Sequence, residues 1–556
     1  MKALYLLIPA ALLALACEKA DVLPEGKTTG QAAFSDPVIR QEDEDIKEDI
    51  IPDFSRVGYH YGDDEVPFHT SITATLEAPA DGSDAVNLIQ SAINACDGSG
   101  TSVIFLKAGT YKVGGPIIIN RSNVVLRGEK DASGKPLTRL LATRTTAPAG
   151  GVDSEEPEAS IVVLGDPDGM VDSRLSSCDR ILDGYVPVGR MFVTIGNASA
   201  YSRGDRIAIY RPPTQKWVHD LKMDQISNGD NWNREGYNLI FERIVTGVRG
   251  DRLYLDNPIV MAIDTTYGGG MVTRYSVRRI RESGVEDICF DSVYDTSNPN
   301  DENHVSNAVS VKYAEHCWVR GIEGHHLSYN TVGLDKSCRN ISVLDCSSYE
   351  PVSLISGRRR YAFCTDPDAS LGFFSNCTAD EDRHQFVVRS HSCGPTVYHR
   401  CKSTNSHADA GPHCYWAMGF LYDCLSVDGN LVVQDGDSWG SASSHGWQGV
   451  NQVFWNCEAK VIVCQSPWVS GQNWCVGSIG LKGYSTQEVV QTETEKVRPD
   501  GKWYPDPGLW NSNTEHFIGS VFGVTTTCES LYESQLAARK ASGSRVFEKE
   551  YYNNYK

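Results

Sequence analysis

SVLDC at 342–346, FFSNC at 373–377, VYHRC at 397–401, FLYDC at 420–424 and VFWNC at 453–457 are five copies of one strand-like phrase, each closing on a cysteine. The gaps between Cys346, Cys377, Cys401, Cys424 and Cys457 are 31, 24, 23 and 33 residues. A turn of 23 or 24 residues accommodates three short strands and three bends, and successive turns then stack as neighbouring strands about 4.8 Å apart. Longer gaps imply loops projecting from particular corners. Equivalent positions of a solenoid lie directly over one another, so these cysteines are expected to fill one column of the core as reduced thiols, which pack as small hydrophobes. A disulfide ladder is the competing expectation for an exported chain with 17 cysteines. GVEDICFDS (284–292) and HCWVRGIEG (316–324) extend the pattern upstream, so that it runs from about 285 to 480.

Ahead of the repeats, Val86, Ile89, Ile93 and Cys96 recur at spacings of three and four, the signature of one face of an amphipathic helix. Short β-rich runs follow: Val103-Ile104-Phe105-Leu106, Gly109-Thr110-Tyr111, Pro116-Ile117-Ile118-Ile119 and Asn123-Val124-Val125-Leu126-Arg127-Gly128. One capping helix leading into such runs reads as the start of an all-β, right-handed, single-stranded parallel β-helix. Between about 130 and 280 the phrases are less regular, and Val272-Thr273-Arg274-Tyr275 is the last strand before the pattern sharpens. That stretch reads as further turns with long insertions, or as a small inserted domain. ESLYESQLAARKAS reads as a closing helix, placed to cover the open end of the solenoid against edge pairing.

MKALYLLIPAALLALAC carries one charge at Lys2, then an apolar run too short for a bilayer of roughly 30 Å, then small residues ending at Cys17. It reads as a signal peptide with a bacterial lipobox, and Cys17 as the lipidated residue. The expected organisation is a lipoprotein signal at 1–16, an acidic tether at 17–55, the β-helix catalytic domain at 56–525, and a C-terminal helix and tail at 526–556. The location implied is the bacterial cell envelope, anchored to the outer membrane and facing the periplasm or the surface. Membrane contact is expected only through the lipid, and the protein is expected to be a monomer. With 51 basic and 71 acidic side chains the formal charge is -20, which argues against nucleic acid. A polyanionic partner would therefore need a local basic cleft.

The chemistry concentrates between Gly357 and Asn456, in GRRRYAF, DRHQFVVRSHSCGP, STNSHADAGPHCYWAMG, VQDGDSWG and SSHGWQGVN. His384, His391, His407, His413 and His445 lie there beside Arg358, Arg359, Arg360 and Arg389. His384 and His407 are 23 residues apart, which predicts that they stack on adjacent turns. An inverting glycosidase needs two carboxylates across the scissile bond. Asp435 with Asp437, or Asp380, Glu381 and Asp382, supply no evident pair. Elimination uses a different set of tools: a base at C5 of a uronic acid, a cation on its carboxylate, and an acid at the departing oxygen. Neutral histidine, arginine and tyrosine suit those roles in turn.

DGSDAVNLIQSAINA with VIFLKAGTYKV and NVVLRG resembles the N-terminal turns of pectate-lyase-like proteins. GRRRYAF, RHQFV, CGPTVYHRC, NSHADAGPHCYW, GFLYDC and HGWQGVNQVFWNC resemble a group of exported β-helical proteins from polysaccharide-degrading bacteria. That group includes a polysaccharide lyase family active on chondroitin sulfate and related glycosaminoglycans, and the likeness runs from VGYHYG at Val57 to the SLYESQL helix. The resemblance implies a uronate polymer as substrate, such as chondroitin sulfate, dermatan or hyaluronan. The group commonly reads Gly-Pro-His-His-Arg-Trp where this chain has Gly411-Pro412-His413-Cys414-Tyr415-Trp416.

The expected roles are His407 or His413 as C5 base, Arg360 or Arg389 as carboxylate neutraliser, and Tyr415 or Tyr361 as general acid, with His384 orienting or sharing proton transfer. Arg359, Tyr361, Trp416, His445 and Trp447 are expected to contact substrate, and Trp439 is a further stacking candidate. Asp435, Asp437 and Asn451 offer oxygens to Ca²⁺ without forming a dedicated loop. The pair His407-x5-His413 lacks the carboxylate of helical zinc sites. No metal is expected to be required, with Ca²⁺ possible. Two other readings stand beside the lyase, a β-helical glycoside hydrolase and a non-catalytic surface glycan-binding protein.

Overall fold

The computed structural model describes residues 44–166, 169, 171–173, 178–226, 231–435, 445–467, 469–482, 517–518 and 528–553. Cys17, Asp437 and Trp439 lie outside them, and with them the leader and most of the tether. Three parallel sheets wind about one core. Sheet A has 14 strands and includes Ser102–Leu106, Val124–Gly128, Arg339–Leu344, Phe373–Ser375, Cys393–His399, Ala417–Asp423 and Val453–Trp455. Sheet B has 11 strands, among them Cys289–Ser292, Glu323–His325, Ser347–Tyr349, Thr378–Asp380 and Lys402–Thr404. Sheet C has seven: Ile117–Ile119, Ser160–Gly165, Asn307–Lys312, Asn330–Leu334, Phe363–Thr365, Phe386–Val388 and Gly411–Pro412. The chain is a right-handed parallel β-helix, as its repeat spacing predicts. The helix Val86–Asn94 caps it, with Ile89 and Ile93 buried against the first turns.

The register explains the repeated phrase. Val343, Phe374, Tyr398, Tyr422 and Phe454 pair in succession along sheet A and point inward, where Phe374 stacks on Tyr398 and Tyr398 on Tyr422. At the corner into sheet B, Asp287, Asp345, Asn376, Arg400, Cys424 and Asn456 all adopt positive φ between 47° and 57°. Each amide there donates to a carbonyl of the next turn, as Asn376 does to His399 and Arg400 to Asp423. Asp and Asn tolerate this left-handed conformation better than other non-glycine residues, which is why they recur just before the cysteine. Directly after the corner, Cys346, Cys377, Cys401 and Cys457 are buried in the core as free thiols. Cys424 does not join them. In that phrase the cysteine itself takes the left-handed corner and Leu425 enters the core. Alkylation of the native protein is expected to leave Cys346, Cys377, Cys401 and Cys457 unmodified until denaturant is added, as peptide mass mapping would show; modification in the native state would contradict this packing.

Between sheet C and the next turns, the chain leaves the solenoid. A seven-stranded sheet with antiparallel pairings, including Arg206–Arg211, Leu239–Arg249, Arg252–Leu255 and Met271–Val277, forms an inserted domain. This is the second of the two readings of that irregular stretch. Trp217, Trp232, Tyr237, Val260 and Met261 of the insert share one core with Cys393, Trp416, Met418, Trp447 and Val450 of the solenoid. The closing helix also departs from expectation. Leu531–Ala541 lies along the outer face of sheet A, where Leu531 and Tyr532 pack with Phe54 and Val57 over Val397, Leu421 and Val453. The outward residues of these strands are apolar, so that face, and not the open end, demanded a cover. Among the described residues no helix is long and apolar enough to cross a membrane.

Candidate active site

The outer face of sheet C carries an apolar floor of Tyr329, Tyr361, Cys364 and Val387. On it stands a ring cluster. His384, two residues before the strand Phe386–Val388, lies 4.3 Å from His413, which follows the neighbouring strand Gly411–Pro412. Tyr361 meets His384 edge-on at 5.0 Å and His413 at 5.8 Å between ring centroids. His445 extends the row, 5.6 Å from His413 and 5.0 Å from Tyr415, with its Nδ1 3.1 Å from the Tyr415 hydroxyl. Three of the predicted histidines and both predicted tyrosines therefore converge.

Tyr415 and Trp416 sit consecutively at φ 55° and 64°, a conformation bulky residues adopt only when their surroundings impose it. Two contacts impose it here: the Tyr415 carbonyl accepts from the amide of His391, and the Trp416 amide donates to the Trp447 carbonyl. Trp416 is driven into the shared core, with its Nε1–H directed at the Met261 sulfur, while Tyr415 remains partly exposed. Trp447 is likewise fully buried. Neither tryptophan offers a ring face to a sugar, because the inserted domain already covers both.

The remaining predicted residues fall elsewhere. His407 is exposed, its amide donating to the Asp382 carbonyl, and the inter-turn register is 24 residues, so it does not stack on His384. Arg360 is buried and donates to the Ser353 carbonyl and the Glu381 carbonyl, which makes it a brace for two loops. Arg389 pairs with Asp366 at 2.9 Å and donates to the Tyr329 hydroxyl. Arg359 is held by Glu302 and Arg358 faces Asp153. The arginine that reaches the cluster is Arg383, partly exposed, which donates to the Tyr361 hydroxyl at 3.3 Å. It stands directly before His384 in the DRHQFVV motif; tallying arginines pointed to the RRR run instead. Asp409, between His407 and His413, was missed too.

Electrostatics keep the histidines neutral. Burial pulls His384 down to about 3, with Arg383 adding to the effect. His413 is pushed well below the usual imidazole range by burial and by His384 beside it. His445 is lowered by burial and by Arg383. Burial lifts Tyr361 to about 12 despite Arg383. Beyond Tyr415, His391 lines a cavity of about 360 Å³ between the insert and the solenoid, together with Glu242, Tyr275, Lys336 and Asp368. Its ring meets Tyr237 edge-on at 4.5 Å.

His391 titrates near 4 in the folded chain because it is desolvated, against 6.5 for a free imidazole. The unfolded chain therefore binds more protons between those values. This contribution to stability is full above pH 6.5 and is lost as pH falls toward 4. His391→Gln is expected to flatten the dependence of Tm on pH in that window relative to the parent protein. The difference between the two is the readout, because Asp382, held protonated up to about 7 by burial, bends both curves the opposite way. An unchanged slope would contradict a neutral, desolvated His391.

No family model matches the chain, and no curated protein matches it. Among solved structures it is similar to the tailspike gp61 of Pseudomonas phage phi297, at 13% identity and TM-score 0.27, covering 72% of this chain and 74% of that one. It is also similar to a polygalacturonase from Erwinia carotovora subsp. carotovora, at 9% identity and TM-score 0.36, covering 80% of this chain and 99% of that one. A mutant tailspike of E. coli bacteriophage HK620, solved in complex with a pentasaccharide, matches at 11% identity and TM-score 0.36, over 74% of this chain and 56% of that one.

Proposed function

We propose that the protein is a polysaccharide lyase that cleaves a uronic-acid-containing polymer by β-elimination, with a glycosaminoglycan such as chondroitin sulfate, dermatan or hyaluronan as its substrate. The observation that carries this reading is the Tyr415–His445 hydrogen bond, in a ring cluster that Arg383 also reaches. In this reading Tyr415 removes the C5 proton as its own proton passes to the neutral His445 ring. The electrons of the broken C5–H bond form the C4–C5 double bond, and the glycosidic oxygen leaves from C4 with a proton returned by the same pair. Arg383 holds the uronate carboxylate, where charge accumulates in the transition state. His445 thus moves from substrate contact to proton transfer, and Arg383 takes the place of Arg360 and Arg389. A lipid on Cys17 would keep this activity at the cell envelope.

The hydrolase reading finds less support. Asp335 and Asp366 do face each other on adjacent turns of sheet C, hydrogen-bonded and both buried, and their mutual repulsion with burial raises Asp335. Glycosidase carboxyls stand about 5–5.5 Å apart in retaining enzymes and about 6.5–9.5 Å apart in inverting ones. A hydrogen-bonded dyad leaves room for neither the sugar nor the water. Incubation with chondroitin, dermatan, hyaluronan, heparin, pectin and ulvan is expected to yield the ultraviolet absorbance of a C4–C5 double bond with at least one of them. Reducing ends without that absorbance would identify a hydrolase, and binding without any product a glycan-binding protein.

A further inference from the structure

His384, Asp409 and His413 each bring a potential ligand atom within 4.8 Å of the others. The two imidazoles are prepared for more than hydrogen bonding. His384 Nδ1 lies 2.6 Å from the Asp409 carbonyl oxygen, and a carbonyl only accepts, so Nδ1 carries the proton and Nε2 keeps its lone pair. That Nε2 is buried without a hydrogen-bond partner, and so is His413 Nδ1. His384 as a whole is 1% exposed. Buried polar atoms left unsatisfied are costly, and here two of them belong to imidazole rings 4.3 Å apart, with an Asp409 carboxylate oxygen 3.9 Å from His384 Nδ1.

We propose that His384, Asp409 and His413 form a binding site for a divalent transition-metal ion. Two imidazoles and one carboxylate suit Zn²⁺, Mn²⁺, Fe²⁺ or Ni²⁺, whereas Ca²⁺ and Mg²⁺ prefer an all-oxygen set. The hydrogen bond from His384 Nδ1 to a backbone carbonyl is the second contact that metal-bound histidines ordinarily make; it fixes the ring and raises the basicity of the other nitrogen. The sequence expectation that no metal is needed weighs Asp435, Asp437 and Asn451 for Ca²⁺ and His407 with His413 for Zn²⁺, and does not pair His413 with His384 and Asp409. Folding instead places His407 outside and brings in His384 from the preceding turn. The ion's place beside Arg383 and His445 would add positive charge where an acidic sugar approaches. The binding site itself does not depend on the lyase reading.

A second cluster, Cys289 with Glu323 and His325 on sheet B, serves as an internal comparison. His325 there already has carboxylate neighbours, Glu323 at 3.6 Å and Glu350 at 3.9 Å. The test strips the purified full-length protein with chelator and titrates it with Zn²⁺ by calorimetry and with Co²⁺ by visible absorption, in the absence of any polysaccharide. The wild type is expected to take up one equivalent with a Co²⁺ ligand-field spectrum and a raised Tm. His384→Gln and Asp409→Asn are expected to weaken uptake by at least about 10–100-fold, while Cys289→Ser and His407→Ala bind as the wild type does. Circular dichroism establishes that each variant is folded, and the wild-type spectrum reports imidazole coordination even where one is not. Absence of stoichiometric uptake, or equal uptake by folded His384→Gln and Asp409→Asn, overturns the site; loss in Cys289→Ser alone moves it to sheet B. An ion-binding protein that forms no unsaturated product would refute the lyase and leave the metal site standing.

Discussion

Tyr415→Phe is expected to lower kcat on the uronate polymer by about 10²–10⁴-fold, the span typical of losing a positioned acid–base group. The ring would stay where it is, because the backbone at 415 and 416 is fixed by the amide of His391, the carbonyl of Trp447 and the burial of Trp416. KM and the circular dichroism spectrum should therefore change little. His445→Gln should fall in the same range and Tyr415→Phe/His445→Gln should be barely worse than either single change, since the two groups pass one proton between them. Full activity in Tyr415→Phe would remove the hydroxyl from the chemistry and return the general-acid role to Tyr361.

Asp256→Ala is expected to destabilise the fold by about 3–5 kcal/mol, the cost of stranding a buried charge. Asp256 belongs to the insert and Arg339 to sheet A of the solenoid; both are fully buried and they form an ion pair. Tyr61 donates to the same carboxylate at 3.0 Å, and the Ile244 amide does so at 2.9 Å. Removing Asp256 leaves the Arg339 guanidinium without its paired carboxylate and loosens the insert where it meets sheet A of the solenoid. Denaturant unfolding would measure the loss, and a change below about 1 kcal/mol, as for surface pairs, would refute this burial. Restoring shape without charge in both partners should recover much of it.

The solenoid was legible because its physics repeats. A residue type that suits a left-handed corner, followed by one that suits a core column, leaves the same mark every turn, and Cys424 misled only by sliding one position into the corner. The inserted domain left no such mark, since each of its antiparallel strands pairs with a partner at its own separation in the sequence. Within the site, the histidines and tyrosines were readable as a concentration of chemistry. Their selection was not: the 24-residue turn sets His407 over Arg383 and not over His384, and only the folded loops show that Arg383 reaches Tyr361 while His407 is exposed. The tryptophans were misjudged for a related reason, as only the position of a distant insert decides whether an aromatic ring meets sugar or protein.

The cover on sheet A joins the two ends of the described chain. The Phe54 amide donates to the Gln535 side chain, and Arg539 donates to Ser55 and to the Tyr61 carbonyl. A solenoid ordinarily behaves as a row of neighbours, in which one turn can fray without consulting the rest. This clasp couples segments that are remote in sequence, so that residues 54–61 complete their packing only when the helix Leu531–Ala541 is in place. Such a clasp is expected to favour a single cooperative transition over unravelling from the ends, with opening of the clasp as the step that exposes the chain to proteolysis.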